Sequence, residues 1–300
     1  MKYLSAQPAS LYYGWQIDVM LHSFVGQGVN LSDVILVNAI QGVKDPYFDK
    51  LEDKYQEANF YYYNDTRTDK TYISSIRPHI LKKHFEIHDY LRNETILYHD
   101  CDIALARPLN TELFESDNIC YMSDTRSYIG HKYIISKGED VLDEMVRIMQ
   151  IDPKIVKDNE ENTGGAQYIL KGIDAEYWMS VECDSVNLYK SISELNNHKK
   201  KINPKYHELQ IWCADMWAVL WNLWKDGKET RITDELDFMF ATNPATDWNK
   251  KPIYHNAGVT SGKEGLFYKG DYTNTLPSKD LNVEKTSASY KYYEMIKEIL

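Results

Sequence analysis

Apolar runs with strand character and stretches with helical character alternate through the first hundred residues, and that order most limits what this chain can fold into. Lys2 to Gln7 reads as a short strand. A helix follows from about Tyr13 to Gly26, with Trp15, Ile17, Met20, Leu21 and Phe24 among its apolar positions. Val34 to Asn38 is a nearly unbroken apolar run of the kind that buried parallel strands show. Phe48 to Ala58 is charged and helix-like, and Asn59 to Asn64 reads as a third strand. Pro78 stands near the start of a helix reaching about Leu91, where proline is best tolerated. Thr95 to Ile103 makes the fourth strand. A βαβαβαβ order predicts an α/β fold, with a mostly parallel, Rossmann-like sheet flanked by helices.

After residue 103 the order changes. Asn118 to Met122 and His131 to Ile135 read as short strands, with a turn-prone Asp124 to Gly130 between them. A helix is expected from Gly138 to Gln150, a strand from Ala166 to Leu170, and helices over Asp174 to Tyr189 and Asp215 to Trp224. The basic run His198 to Lys201 reads as a solvated loop. Ser287 to Leu300 carries apolar residues at helical spacing and is expected to pack back on the domain. With no repeat and no low-complexity linker, the expectation is one compact domain over residues 1–277, with a mixed second half, and a helical tail over 278–300.

Composition narrows the function. A hydrophobic fraction of 43% supports a sizeable core. With 45 acidic against 34 basic side chains and a net charge of -11, a nucleic-acid partner is excluded, because phosphate binding needs a basic face. A nucleotide bridged by a divalent metal is still permitted. The four cysteines are widely spaced and form no C-x-x-C pair, which reads as reduced thiols in a cytoplasmic protein. Gln7 and Pro8 interrupt the N-terminus before a signal-peptide apolar segment can form, and no window is apolar enough to span a membrane.

The chemistry centres on Asp100 and Asp102. In an extended chain, residues two apart project to one face, so both carboxylates can reach one hard cation. An Asp-x-Asp arises readily by chance in an acidic chain, but this pair closes an apolar strand, where open α/β sheets place their ligands. Asn162-Thr-Gly-Gly-Ala-Gln167 lacks the Gly-Lys-Ser/Thr ending of a Walker phosphate loop. Asp215 stands where a helix N-cap is expected. Arg77, near a helix start, is placed to neutralise a diphosphate. The tryptophans after residue 211 lie mostly at core-like spacing, with Trp212 and Trp217 the candidates to stack on a sugar face.

Four segments in order, His99 to Asp102, Asn162 to Gln167, Ala214 to Trp217 and His255-Asn-Ala-Gly258, resemble the pattern of the GT-A fold glycosyltransferases. The likeness spans residues 1 to about 277. It is nearest to retaining members such as glycogenin and bacterial galactosyltransferases, while Thr163 to Leu170 and Ile211 to Asn222 also look like peptidyl O-glycosyltransferases. The resemblance implies a hexosyltransferase that takes a nucleotide diphosphate sugar, a UDP-hexose first among them, and glycosylates a hydroxyl of a glycan or peptide acceptor with retention. It makes Asp100, Asp102 and His255 ligands of Mn2+ or Mg2+, with Cys101 between them. Ala6, Gln7 and Pro8 would hold the base, with Asn64 and Asp65 at base or ribose. Gly258 and Lys269 would face the diphosphate, although Lys263 competes for that role and the family's Lys-Pro-Trp ending is absent. Asp124, Gly164, Gly165 and Gln167 would contact the donor sugar. Asp215 would stabilise developing charge or act on the acceptor, beside Trp212 and Trp217.

Two alternatives stay open. A nucleotidyltransferase would normally carry a glycine-rich basic loop after its first strand, where this chain has Gln7-Pro8-Ala9-Ser10. An inactive sugar-nucleotide-binding relative is the other, against which the intact Asp100, Asp102 and His255 stand.

Overall fold

The computed structural model describes residues 1–259 and 261–300, which form two compact units. The first gathers residues 1–64, 97–115 and 234–300, and the second residues 65–96 and 116–233. The tail beyond residue 277 belongs to the first unit.

In the first unit, strands β1 (Lys2–Pro8), β2 (Val34–Ile40), β3 (Asn59–Asn64) and β4 (Ile96–His99) lie in the order β3-β2-β1-β4. β1 pairs in parallel with β2, and β2 with β3. Six of the seven residues of β2 are buried, as its apolar run requires. Its one amide is satisfied: Asn38 Oδ1 accepts from Gln7 Nε2 at 2.7 Å, and Asn38 Nδ2 donates to the Leu36 carbonyl at 3.0 Å. Helices α1 (Leu11–Gly26) and α2 (Tyr47–Lys54) follow β1 and β2. They pack closely, because a Cβ at Gly14 would lie 2.9 Å from the Tyr47 ring.

In the second unit, α3 (Ile76–Ile87) packs on the long helix over residues 175–202. The short β5 (Ile103–Leu105) follows β4 in the first unit. β6 (Cys120–Asp124) opens the long second segment, followed by α4 (Arg126–Ile129), α5 (His131–Ile135), α6 (Glu139–Met149), α7 (Pro153–Asp158) and β7 (Gly164–Leu170). β6 pairs antiparallel with β7 and parallel with β8 (Thr230–Ile232), so this part of the sheet is mixed, as expected. The register slips between Met122 and Ser123, opposite Ala166 with its left-handed φ of 67°.

Three sequence expectations are corrected here. His131 to Ile135 is the helix α5, not a strand: Ile134 N–H bonds the Gly130 carbonyl at 3.0 Å, and only Ile134 of the five is buried, so no alternating face exists. The helix read as ending near Tyr189 is α8 (Ala175–Ile202), 28 residues long. It therefore includes His198 to Lys201, read above as a loop. Asp174 caps its start by accepting from Tyr177 N–H, and Lys199, Lys200 and Lys201 fill its last turn, where the helix dipole favours cations by about 0.3–1 kcal/mol each. Lys199 also pairs with Asp140, and Lys200 with Glu208 at 2.6 Å. α9 (Ala214–Lys225) completes this unit.

The last segment returns to the first unit as β9 (Phe238–Phe240), β10 (Ile253–His255) and α10 (Ala288–Ile299). β10 lies between β5, to which it is antiparallel, and β9, to which it is parallel. Behind this small sheet Trp15, Tyr254, Phe267, Tyr292 and Tyr293 form an aromatic core, in which Tyr254 stacks on Tyr292 at 4.9 Å. That packing holds the C-terminal helix on α1 and against the strand that carries His255. Among the described residues, no helix is long and apolar enough to cross a membrane.

Candidate metal centre

The fourth strand is shorter than its sequence suggests. β4 stops at His99, and Asp100, Cys101 and Asp102 make a turn into β5. The two carboxylates converge through that turn, which corrects the expectation that strand alternation aligns them. His99 fixes its start: the ring is buried and packs edge-on against Phe24 at 5.5 Å, and Nδ1 donates to the Asp100 carbonyl at 2.9 Å. Burial pushes the His99 pKa down to about 4, so the ring stays neutral.

Antiparallel pairing of His255 with Ile103 brings β10 to the same turn. Asn256 N–H donates to the Asp102 carbonyl at 2.8 Å, which fastens the two segments just past the pair. His255 Nε2 then lies 3.3 Å from Asp102 Oδ1 and 3.6 Å from Asp100 Oδ2. One ligand atom from each of the three residues lies within 4.8 Å of the others. Two ligands about 2.1 Å from a shared ion stand about 3.0–3.4 Å apart at octahedral to tetrahedral angles. The 3.3 and 3.6 Å separations from His255 are near that range, and the donor set, two carboxylates and an imidazole, suits one divalent cation. Lys269 completes the cluster, its Nζ bonded to Asp102 Oδ2.

The electrostatics follow from these contacts. Burial raises the Asp102 carboxyl, but Lys269 and His255 together outweigh it and hold the group far below the carboxylate range. Burial lowers His255, and Asp102 and then Asp100 more than reverse that, leaving it above its ordinary value. Lys269 likewise loses to burial and gains more from Asp102, so it stays charged.

The remaining sequence candidates fall into distinct places. Cys101 is buried between the two carboxylates. Gly258 sits beside the Phe240 ring with φ 84°, a conformation that only glycine adopts without strain. At the end of β1, Ala6 is buried, and Gln7 is committed to Ser5 and Asn38, which leaves Pro8 the most accessible of the three. Asn64 is exposed at the end of β3.

In the second unit, Asp65 is taken up by Arg67, whose Nε and Nη2 both reach it at 3.0 Å. Arg77 pairs with Asp215 instead of standing free for a diphosphate. Asp215 is not an N-cap: it lies inside the first turn of α9, makes no capping bond, and its other oxygen accepts from Tyr72 OH at 2.5 Å. Asp124 is exposed at the end of β6 and pairs with Arg126 at 2.8 Å. Gln167 is fully buried, with Oε1 accepting from Ser123 Oγ at 2.6 Å, so its side chain faces the interior and not a sugar. Gly164 and Gly165 have packing reasons of their own: a Cβ would lie 2.5 Å from the Ser123 carbonyl and 2.5 Å from the Met216 methyl, respectively. Trp217 is core, 0% exposed, with its indole donating to the Ile129 carbonyl at 2.8 Å, which overturns its acceptor role. Trp212 is 64% exposed and keeps its availability.

Sequence reasoning missed Tyr72, Arg67 and Asn256. Tyr72 and Arg67 stand in a polar loop where nothing in the sequence marks a partner 143 residues away, as Asp215 is from Tyr72. Asn256 follows His255 directly, and that adjacency was the available signal.

Neither a protein-family model nor a curated protein matches this sequence. Solved structures do. The bifunctional glycosyltransferase WbbM superposes at a TM-score of 0.50, with 10% identity over 99% of this chain and 49% of that one. The fold is that of the GT-A glycosyltransferases. This GT-A chain spans about half the length of WbbM. The galactosyltransferase LgtC, solved with donor and acceptor sugar analogs, is 12% identical over 99% of this chain and 96% of that one, at a TM-score of 0.46. The glycosyltransferase GlyE of Streptococcus pneumoniae is 12% identical over 99% of this chain and 60% of that one, at 0.45.

Proposed function

We propose that this protein is a metal-dependent glycosyltransferase, which takes a hexose from a nucleotide diphosphate sugar, a UDP-sugar first among them, and transfers it to a hydroxyl of a glycan or peptide. The observation that carries this reading is the convergence of Asp100, Asp102 and His255 at the β4–β5 turn of a GT-A fold. Departure of a nucleoside diphosphate develops negative charge, and a divalent ion such as Mn2+ or Mg2+, held by these three residues, supplies Lewis-acid stabilisation of it. Asp100 and Asp102 contribute the charge and hardness that such an ion selects, and His255 a neutral nitrogen once its proton is released. The Lys269 ammonium adds fixed positive charge beside Asp102.

The order of the four segments favours a retaining outcome. An inverting transferase needs a free carboxylate base at the acceptor hydroxyl. Both oxygens of Asp215 are engaged, by Arg77 and Tyr72, so its part would be to orient groups and not to abstract a proton. Exposed Trp212 is the candidate platform for an acceptor sugar. Pro8 and Asn64 are the accessible candidates for the base and ribose.

The test is nucleoside diphosphate release from a panel of sugar nucleotides with Mn2+ or with chelator, for wild type and Asp102→Ala. Release that requires the ion, favours one donor and falls by about 10²-fold or more in the variant is expected. Turnover of no donor, with nucleotidyl transfer in its place, would replace this reading by the alternative enzyme class. Donor binding that needs the ion but gives no turnover with any acceptor or water would point to an inactive relative.

A further inference from the structure

Tyr72 is buried, and its hydroxyl meets three groups at the entry to α9. It lies 2.8 Å from the Trp212 carbonyl and 2.5 Å from Asp215 Oδ1, and it accepts from Asp215 N–H at 3.2 Å. Its own place is fixed. The ring stacks on Tyr189 with centroids 4.9 Å apart, and its carbonyl accepts from Arg67 Nη1 at 3.2 Å and from Ser75 Oγ at 2.8 Å. Burial, and then Asp215, push its pKa well above the usual tyrosine value, so the hydroxyl keeps its proton. That single proton can serve either the carbonyl or the carboxylate. Trp212 depends on such a hold. Its indole is 64% exposed, so packing does little to orient the ring, and the backbone that carries it sets where it points. The turn Ile211–Cys213 is closed locally, by Ile211 N–H on the Leu209 carbonyl at 2.8 Å and by Cys213 Sγ on the Gln210 carbonyl at 2.9 Å. Tyr72 reaches the same turn from 140 residues away in sequence.

We propose that Tyr72 is a positioning residue for the acceptor: its hydroxyl fixes the Trp212 backbone and, through it, the exposed indole. Asp215 competes for the same proton. A donor-sugar hydroxyl that bonds Asp215 Oδ1 gives that oxygen another hydrogen-bond donor, and the Tyr72 proton then serves the Trp212 carbonyl. The hold on Trp212 is therefore tightest with donor bound, which is the state that needs an acceptor. This inference rests on the reading that Asp215 lies at the donor sugar and that Trp212 takes an acceptor sugar.

The experiment compares two fates of the donor that wild type turns over: transfer to the methyl glycosides of glucose, galactose and N-acetylglucosamine, below saturation, and hydrolysis by water. A change at Asp215 alters donor reactivity in both reactions and cancels in their ratio, whereas a change at Trp212 alters transfer alone. Tyr72→Phe keeps the ring and its stacking and removes only the hydroxyl. The transfer-to-hydrolysis ratio is expected to fall about fivefold or more in Tyr72→Phe, through the acceptor KM and not kcat, as loss of one hydrogen bond allows. It should fall further in Trp212→Ala and no further when the two changes are combined. An unchanged ratio in Tyr72→Phe beside a lowered one in Trp212→Ala overturns the positioning role and leaves Trp212 as the platform. Losses that multiply in the double variant overturn it as well. A ratio unmoved by either change, or hydrolysis without transfer to any of the glycosides, overturns the platform and this inference together. No donor turnover by wild type removes both with the transferase reading. A crystal structure of wild type with a donor analogue and a methyl glycoside needs no variant. Sugar stacked on Trp212, with Tyr72 bonded to the Trp212 carbonyl, is the expected arrangement, and sugar placed elsewhere, or Tyr72 turned from that carbonyl, contradicts it.

Discussion

Arg77 and Asp215, separated by 138 residues in sequence, close an ion pair that Tyr72 completes from the opposite carboxylate oxygen. Arg77 is 22% and Asp215 10% exposed, so neither charge is well hydrated without the other. Arg77→Met leaves the Asp215 carboxylate with Tyr72 alone and is expected to destabilise the protein by about 3 kcal/mol in urea unfolding. The double variant Arg77→Met/Asp215→Leu removes both charges and should recover most of that loss. If the double variant is as unstable as the sum of the singles, the two side chains do not act as a pair.

The tryptophans separate core from surface. Trp217→Ala removes a fully buried indole and its bond to the Ile129 carbonyl, and should cost about 3–5 kcal/mol. Trp212→Ala removes an indole that is 64% exposed, and its effect should stay within about 0.5 kcal/mol. Thermal melts of the two variants check both numbers. A large loss at Trp212 would mean that it packs more than its exposure allows.

His84 predicts an acid limb of stability. Burial, and then the neighbouring His88, lowers its pKa from 6.5 to about 3. The folded state therefore binds fewer protons than the unfolded state between these values. Its contribution is complete above about pH 6.5 and is lost as the pH falls towards 3, by up to about 1.4 kcal/mol per pH unit. His84→Gln cannot gain that proton, so its stability profile should be flatter over the same window. Parallel profiles for variant and wild type would assign the acid limb elsewhere.

Removing a metal ligand should do more than removing its supporting partner. Loss of outer partners typically weakens metal binding about 10–100-fold, so His255→Ala is expected to weaken Mn2+ binding by about 100-fold or more. Asn256→Ala keeps the backbone N–H that bonds the Asp102 carbonyl and should keep most of the affinity. Titration calorimetry with Mn2+ distinguishes the two, and equal losses would contradict the direct role of the imidazole.

Much of the first unit was legible in the sequence because its signals are local. The continuous apolar stretch from Val34 to Val37 reads as a buried strand, and in the second unit Pro78 falls in the first turn of α3, where proline is tolerated. The three metal-ligand candidates were named from segments that each looked ordinary, through their resemblance to an ordered family pattern. Local signals failed where a residue's surroundings come from elsewhere. Periodicity in His131 to Ile135 is too short to separate helix from strand, and the charged end of α8 looks like a loop when its dipole is left out.

By itself the sequence determined the alternating α/β order, the mixed second half and the residue types available to hold a cation. These depend on propensity and pattern within a few positions. Only the tertiary structure decided which groups were already committed. Asp215 went to Arg77 and Tyr72, Asp65 to Arg67, Gln167 to Ser123, and Trp217 to the core, while Asp102 divided its oxygens between His255 and Lys269. The reason is physical: a buried polar group must find a partner, and the partner's distance along the chain has no bearing on its distance in space.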